Sequence, residues 1–292
     1  MSKLKSQQSS LYENTSCLYL VPTPIGNLED MTFRALRILK EADIIAAEDT
    51  RNTKKLCNYF EITTPLTSYH EHNVESGGHK ILQYLAEGKT VALVSDAGMP
   101  CISDPGVDIV TKALAEGYAV VPLPGANAGL TALIASGITP QPFFFYGFLS
   151  RNKKERAIEL TQLKKRKETM IFYEAPHRLK EMLRHCEAEL GDRQVVLARE
   201  LTKKFEEFLR GSMAEAVTWA EQTELRGEFC IIIEGTQIEE VEERAPWEDL
   251  SITEHVDFII EETQIPSKEA IKEVAKLRGI SKRDVYQEYH VN

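Results

Sequence analysis

The chain has 292 residues, 42% of them hydrophobic and 27% charged, with a formal net charge of −10. That length suits two domains and an appendage, and the composition is that of a globular rather than a disordered protein. The acidic balance excludes a protein coated all over by nucleic acid, and no apolar run is long enough to cross a bilayer.

Residues 1–16 are polar and lack the apolar core of a signal peptide, which predicts a disordered tail and a cytoplasmic protein. From Cys17, CLYLVP reads as a buried strand. Phe33 to Ala42 has helical spacing with Asp30 or Thr32 as cap, and DIIAAE from Asp43 is a second strand. Thr50 to Phe60 is a helix that Asp49 can cap. Thr90 to Ser95 is a strand, Val107 to Glu116 a helix, Ala119 to Leu123 a strand and Ala126 to Ser136 a helix. This alternation predicts an α/β architecture with a largely parallel sheet over residues 17–148.

A second α/β block is expected over residues 149–236, with a strand from Phe143 leading into it. Lys153 to Lys167 reads as a basic helix, Met170 onward as a strand, His177 to Leu190 as a helix, and Gln194–Glu200, Glu206–Leu209 and Phe229–Glu234 as strands. After an acidic stretch around Glu239 to Glu243, residues 246–292 read as a small helical unit. Ile252–Thr263 is one helix, Ser267 caps a second through Leu277, and Gly279 breaks it before a third from Ser281, a helix-turn-helix pattern. Such a unit either contacts nucleic acid or packs as a plain hairpin.

Ligands of parallel sheets bind beyond the carboxyl ends of the strands, where four loops gather here. The first is PTPIGNL, Pro22 to Leu28. It has neither GxGxxG nor GxxxxGK[ST], which disfavours a phosphate-cradling site. The second is Glu48-Asp49-Thr50-Arg51, a capped helix start or a charged cluster. The third, Ser95 to Gly106, is too long and too rich in Asp, Gly, Pro and Ser for a plain connection, and suits a ligand with hydroxyls and a cationic centre. The fourth, Pro124 to Gly129, lets a helix start close to a ligand or a neighbouring strand.

His70 and His72 make a His-x-His pair with no third ligand in view, so no metal is expected, and the pair with Asn73 reads instead as polar surface or RNA contacts. The five cysteines are widely spaced and read as buried small side chains. Eight basic residues fall between Arg151 and Lys167 (Arg151, Lys153, Lys154, Arg156, Lys164, Lys165, Arg166, Lys167), a local patch able to hold phosphates on an acidic protein.

In this order PTPIGNLEDMTFRALRILKEADIIAAEDTR, SYHEHN, VSDAGMPCISDPG, PLPGANAGLTAL, GFL and FYEAPHR resemble the tetrapyrrole (corrin/porphyrin) methylase superfamily, and within it the ribosomal RNA small subunit methyltransferase I branch. The resemblance runs from about Cys17 to Gly235 and on into the helical unit. It implies two α/β domains with S-adenosylmethionine in a cleft between them, a homodimer, and 2′-O-methylation of a cytidine in small-subunit ribosomal RNA, free or in the assembled subunit. By position it implies cofactor contacts at Pro24, Ile25, Ser95, Asp96, Ala97, Gly98, Ile102, Ser103, Asn127 and Ala128, and more loosely at Glu174 and Arg199. The chain has Pro-Thr-Pro-Ile-Gly where tetrapyrrole methylases carry a glycine-richer loop, and Ser-Asp-Ala-Gly where they carry Gly-Asp-Pro. Both departures point away from a macrocycle.

On this reading Asp49 is the expected base, Arg51 orients substrate and His70 is the alternative base. RNA contacts are expected from His72, Asn73, Lys153, Lys154, Lys164, Lys165, Arg166, Lys167, Arg178, Lys282 and Arg283. The rivals are a tetrapyrrole or diphthine methyltransferase of the same fold, and a non-catalytic RNA-binding protein.

Overall fold

The computed structural model describes residues 7, 16–237, 247 and 250–291. The acidic stretch Glu239 to Glu243 and most of the expected tail lie outside them. Of that tail, Gln7 is described, and its side-chain amide exchanges two hydrogen bonds with the backbone of Val120. The chain divides into two compact units, Met1–Thr236 and Gln237–Asn292.

In the first unit, β1 (Cys17–Leu20), α1 (Phe33–Glu41), β2 (Ile44–Ala47), α2 (Thr50–Tyr59), β3 (Leu66–Ser68), α3 (Val74–Ala86), β4 (Val91–Val94), α4 (Gly106–Ala115) and β5 (Ala119–Pro122) build one layer system. The strands pair in the order β3-β2-β4-β1-β5, all parallel. They are short, nearly continuous apolar runs because helices cover both faces. Thr32, not Asp30, caps α1, accepting a hydrogen bond from Ala35 N at 3.0 Å.

Next come α5 (Ala128–Ser136), β6 (Phe143–Gly147), α6 (Lys153–Leu163), β7 (Thr169–Glu174), α7 (Pro176–Leu190), β8 (Gln194–Arg199), β9 (Glu207–Ser212), α8 (Met213–Gln222) and β10 (Phe229–Ile233). The second sheet has the order β6-β7-β10-β8-β9 and is mixed, with only β6 and β7 parallel. Strand β6 precedes the boundary expected after residue 148, yet it pairs with β7. Helix α5 covers one face of this sheet, packing Ala132 and Leu133 against Ile171, Val196, Ala198 and Ile232. Gly129 permits the approach, since a Cβ there would lie 3.2 Å from Ile171 Cγ2.

The basic helix is shorter than the charge pattern implied. It ends at Leu163, its last buried apolar residue, and Lys164 to Lys167 form a turn that Thr236 N clasps at Arg166 O. Arg156 is buried, bonded to His185 Nδ1 at 2.8 Å and Glu181 Oε1 at 2.6 Å, and so is not part of a surface patch. Four of the cysteines are buried and Cys101 is half-buried, all as free thiols.

The second unit has three helices, α9 (Ile252–Thr263), α10 (Ser267–Arg278) and α11 (Lys282–Val291), around Val256, Ile271, Val274 and Val285. Pro266, not Ser267, occupies the N-cap of α10, while Gly279 closes it at φ +65°. Buried His255 stacks on Trp247 at 4.7 Å and accepts a hydrogen bond from Arg278 Nε at 3.0 Å.

Candidate active site

Because β2, β4, β1 and β5 are parallel neighbours, the four loops after them open at one edge of the first sheet. Two are joined directly. Thr23 and Gly98 exchange backbone hydrogen bonds of 2.9 and 3.0 Å, tying the first loop to the third. Gly98 has φ +80°, and a Cβ would press on Ala126 O and Ile25, so the third loop folds back here only with glycine. The first and fourth loops are as close, since a Cβ on Gly125 would lie 2.4 Å from Pro22 Cβ.

The second sheet faces this edge with the ends of β7 and β8 and the start of β10, where Glu174, Phe229 and Arg199 are in register. Tyr173 Oη accepts a hydrogen bond from Gly129 N at 3.0 Å, fixing the start of α5 to β7. Between the two sheets lies a cleft of about 440 Å³. Ile25, Ser95, Ala97, Gly98, Ile102, Ser103, Asn127, Ala128 and Glu174 of the expected cofactor residues line it. Asn127 also caps α5, accepting from Leu130 N.

Four carboxylates line the cleft: Glu228, which pairs with Lys203 at 2.9 Å, and three others, Glu48, Asp104 and Glu174. Burial pushes all three above the usual carboxylate range, and at Glu48 the charges of Asp96, Asp104 and Glu71 add to it. Asp104 Oδ1 accepts from Cys101 N and Gly106 N, holding a turn with Cys101 and Ser103 at positive φ. Such strain in non-glycine residues persists where the surroundings enforce it, often at ligand sites. Asp104 Oδ2 and Glu174 Oε2 are buried without a hydrogen bond, the latter 3.3 Å from Arg178 Nη2. An orphaned buried carboxylate oxygen such as Asp104 Oδ2 is costly, and a cation with donor groups fits it.

Asp49 has a different environment. Its carboxylate accepts from Arg51 N, Nε and Nη2 at 2.8, 3.1 and 2.7 Å, which drops its pKa to about 2. It caps α2 and is a weak proton acceptor at neutral pH, and its partner Arg51 is committed to it.

A model of the family Tetrapyrrole (Corrin/Porphyrin) Methylases matches residues 17–217. The chain belongs to this family. Ribosomal RNA small subunit methyltransferase I of Bacillus subtilis (strain 168) is 62% identical to the methylase over 94% of each chain. The protein of that name from Halalkalibacterium halodurans is 56% identical over 98% of this chain and 99% of its own, and that from Synechocystis 41% over 92% and 96%. These full-length identities place the methylase in the ribosomal RNA small subunit methyltransferase I branch.

Solved structures share its fold. Cobalt precorrin-4 methyltransferase aligns with TM-score 0.59 at 18% identity over 75% of this chain and 95% of its own. A diphthine synthase gives 0.58 at 13%, over 75% and 90%. Uroporphyrin-III C-methyltransferase from Thermus thermophilus, complexed with S-adenyl homocysteine, gives 0.53 at 19%, over 75% and 97%.

The remaining expected residues of the methylase fall elsewhere. Pro24 and Asp96 line a second cavity, on α2. Arg199 turns to the rim, donating to Arg226 O at 2.8 Å with Glu207 Oε2 at 3.5 Å. His70 is half-buried with Nδ1 unpaired, and Asn73 is spent on the turn, accepting from His70 N and donating to Ser68. His72 is exposed beside Glu71. Arg178 packs inward, donating to Leu149 O at 2.8 Å. Lys153 and Lys154 start α6 just beyond Phe148, which lines the cleft, whereas Lys164 to Lys167 precede β7, whose far end reaches it. Six residues of strand, roughly 20 Å, separate that turn from the cleft. Arg166 there is engaged with Phe144, 3.7 Å from the ring centroid. Lys282 and Arg283 are exposed at the start of α11. Among the described residues no group of three or more His, Cys, Asp or Glu is arranged to hold a metal.

Sequence reasoning did not nominate Glu48, Met99, Asp104, Phe148, Tyr173 or Lys203, all on the cleft wall. The available signal was position: Glu48 directly follows β2 and Tyr173 precedes Glu174 on β7.

Proposed function

We propose that the protein transfers a methyl group from S-adenosylmethionine to small-subunit ribosomal RNA, at the ribose 2′-hydroxyl of a cytidine. The observation carrying this is the carboxylate-lined cleft of a chain matched end to end by ribosomal RNA small subunit methyltransferase I proteins. The tetrapyrrole and diphthine enzymes match about three quarters of the chain at under 20% identity, sharing fold alone. A merely RNA-binding scaffold would have no use for the strained third loop and the orphaned carboxylate oxygen of Asp104.

Asp104 and Glu174 hold the cationic sulfonium and ammonium centres, and Ile25, Ile102 and Ala128 cover the nucleoside. When bound, the cofactor supplies an electrophilic methyl on positively charged sulfur. The chain then has two tasks: to hold the ribose oxygen in line within roughly 3–3.5 Å, and to take its proton. Glu48 is the better acceptor, because its carboxyl is raised toward working pH whereas Arg51 holds that of Asp49 down at about 2. Lys153, Lys154, His72, Lys282 and Arg283 grip phosphates, with the turn Lys164 to Lys167 as a remoter contact. The assembly is a cytoplasmic homodimer, a reading supported by the exposed apolar side chains Leu130 and Ile134 of α5, at 46% and 80%.

The test is incubation with tritiated S-adenosylmethionine and small subunits from cells lacking the enzyme, with the label mapped by nuclease digestion and mass spectrometry. One ribose-methylated cytidine is the expected product. Cofactor binding without label would move the substrate elsewhere, and no cofactor binding would leave the scaffold reading.

A further inference from the structure

Behind the Thr23–Gly98 bridge lies a second cavity of about 330 Å³, walled by the first loop, by α2 and by Asp96. Ser95 lines both this cavity and the cleft, so only the bridged loops separate them. We propose that this cavity takes the pyrimidine ring of the nucleotide being methylated and reads it as cytosine, an inference that rests on the ribose-methylation reading above.

The wall chemistry suits that ring. Tyr59 lines the cavity with 65% of its surface still exposed, opposite Pro24 and Leu28 of the first loop. Its ring meets that of Phe60 edge-to-face at 4.9 Å, and an exposed aromatic ring held beside a gap of this size is how proteins hold a base splayed from its RNA neighbours. Asp96 offers the polar edge. Its Oδ1 accepts from Asp49 N at 3.0 Å and its Oδ2 from Asn52 Nδ2 at 3.2 Å, so the carboxylate is fixed in place. Each oxygen keeps a further lone pair. A carboxylate accepts the exocyclic amino group of cytosine and repels the carbonyl oxygen that uracil has there. The second N–H of the Asn52 amide is left for a ring acceptor. Lys55, on the same helix and wall, is exposed for a flanking phosphate. With the base held here, the attached ribose reaches the Ser95 wall, where the cleft begins.

The experiment uses the full-length enzyme and two preparations of unmethylated small subunits, carrying cytidine or uridine at the position the wild type labels. Tyr59→Ala should raise KM for the cytidine subunits roughly 5- to 100-fold, with cofactor Kd by calorimetry unchanged and Tyr59→Phe close to wild type. The wild type should prefer cytidine over uridine subunits, and Asp96→Asn should cut that preference roughly 5- to 100-fold. A wild-type KM in Tyr59→Ala, or an undiminished preference in Asp96→Asn, would overturn the inference while the methylation reading stands. A wild type that labels no cytidine in either preparation would overturn the reading and the inference together.

Discussion

Gly125 should not tolerate a single added methyl. Its φ is not in the positive range, so Gly125→Ala changes packing and not backbone preference. The new Cβ would lie 2.4 Å from Pro22 Cβ and 2.8 Å from its Cγ. Carbon atoms pack at about 3.5–4.0 Å, so the first and fourth loops must part by about 1 Å, and a proline ring cannot rotate aside. Overpacking of this kind costs about 1–3 kcal/mol, and for a unit of this size each 1 kcal/mol lowers Tm by about 2–4 °C. Both loops line the cleft, through Ile25 and Asn127. A displacement of about 1 Å near reacting groups can cost 10²-fold in rate. The expected result is therefore a modest fall in Tm by calorimetry and a kcat/KM on small subunits reduced by about 10²-fold. Gly78→Ala is the control, because Gly78 has no positive φ and its Cβ would meet nothing nearer than 3.9 Å. Gly125→Ala with wild-type Tm and kcat/KM would refute the close approach of the loops.

Glu48→Gln should lower kcat by about 10²-fold or more, and in the wild type kcat should fall as pH drops through the raised Glu48 pKa. Asp49→Asn keeps an N-cap residue and should stay within a few-fold of wild type in the same assay. In the helical unit, burial and Arg278 lower the His255 pKa. The unfolded chain therefore binds the proton more tightly, and stability present above the unfolded value, about 6.5, is lost as pH falls through the folded one. Unfolding of the full chain followed by Trp247 fluorescence between pH 7 and pH 5 should show this, and His255→Gln should flatten it. Replacing Lys153 and Lys154 by Gln should weaken RNA binding and reduce its salt slope by about 0.7–0.9 for each phosphate left without its lysine, more than replacing Lys164 and Lys165, on the remote turn. Filter binding at several salt concentrations decides between the two pairs.

Most strands were legible as short apolar runs, and the first-sheet loops followed from their parallel order, but β3 was not read, because three residues with one buried side chain carry no pattern. Helix α3 was not read, because Ser76, Gly77 and Gly78 fill its first turns and Gly is a poor helix former. The packing explains them: a Cβ on Gly77 would crowd Tyr69. Helix α8 carried a readable signal in the Ser212–Glu215 capping box. The charge run misled in two ways, since no pattern of lysines and arginines shows that Arg156 is buried or that Leu163 ends the helix. Nor does sequence tell which of Glu48 and Asp49 turns inward. That depends on Arg51 reaching back to claim Asp49.

Helix α5 leaves the first sheet and spends its buried side chains on the second, with Tyr173 pinned to its first turn. Leu133 and its cover therefore belong to one body with the second sheet, and the stretch 123–127 between β5 and α5 is where any motion of one sheet against the other must be absorbed. That stretch holds Gly125, pressed on Pro22, and Asn127, on the cleft wall, so the packing of one glycine and the width of the cleft are coupled.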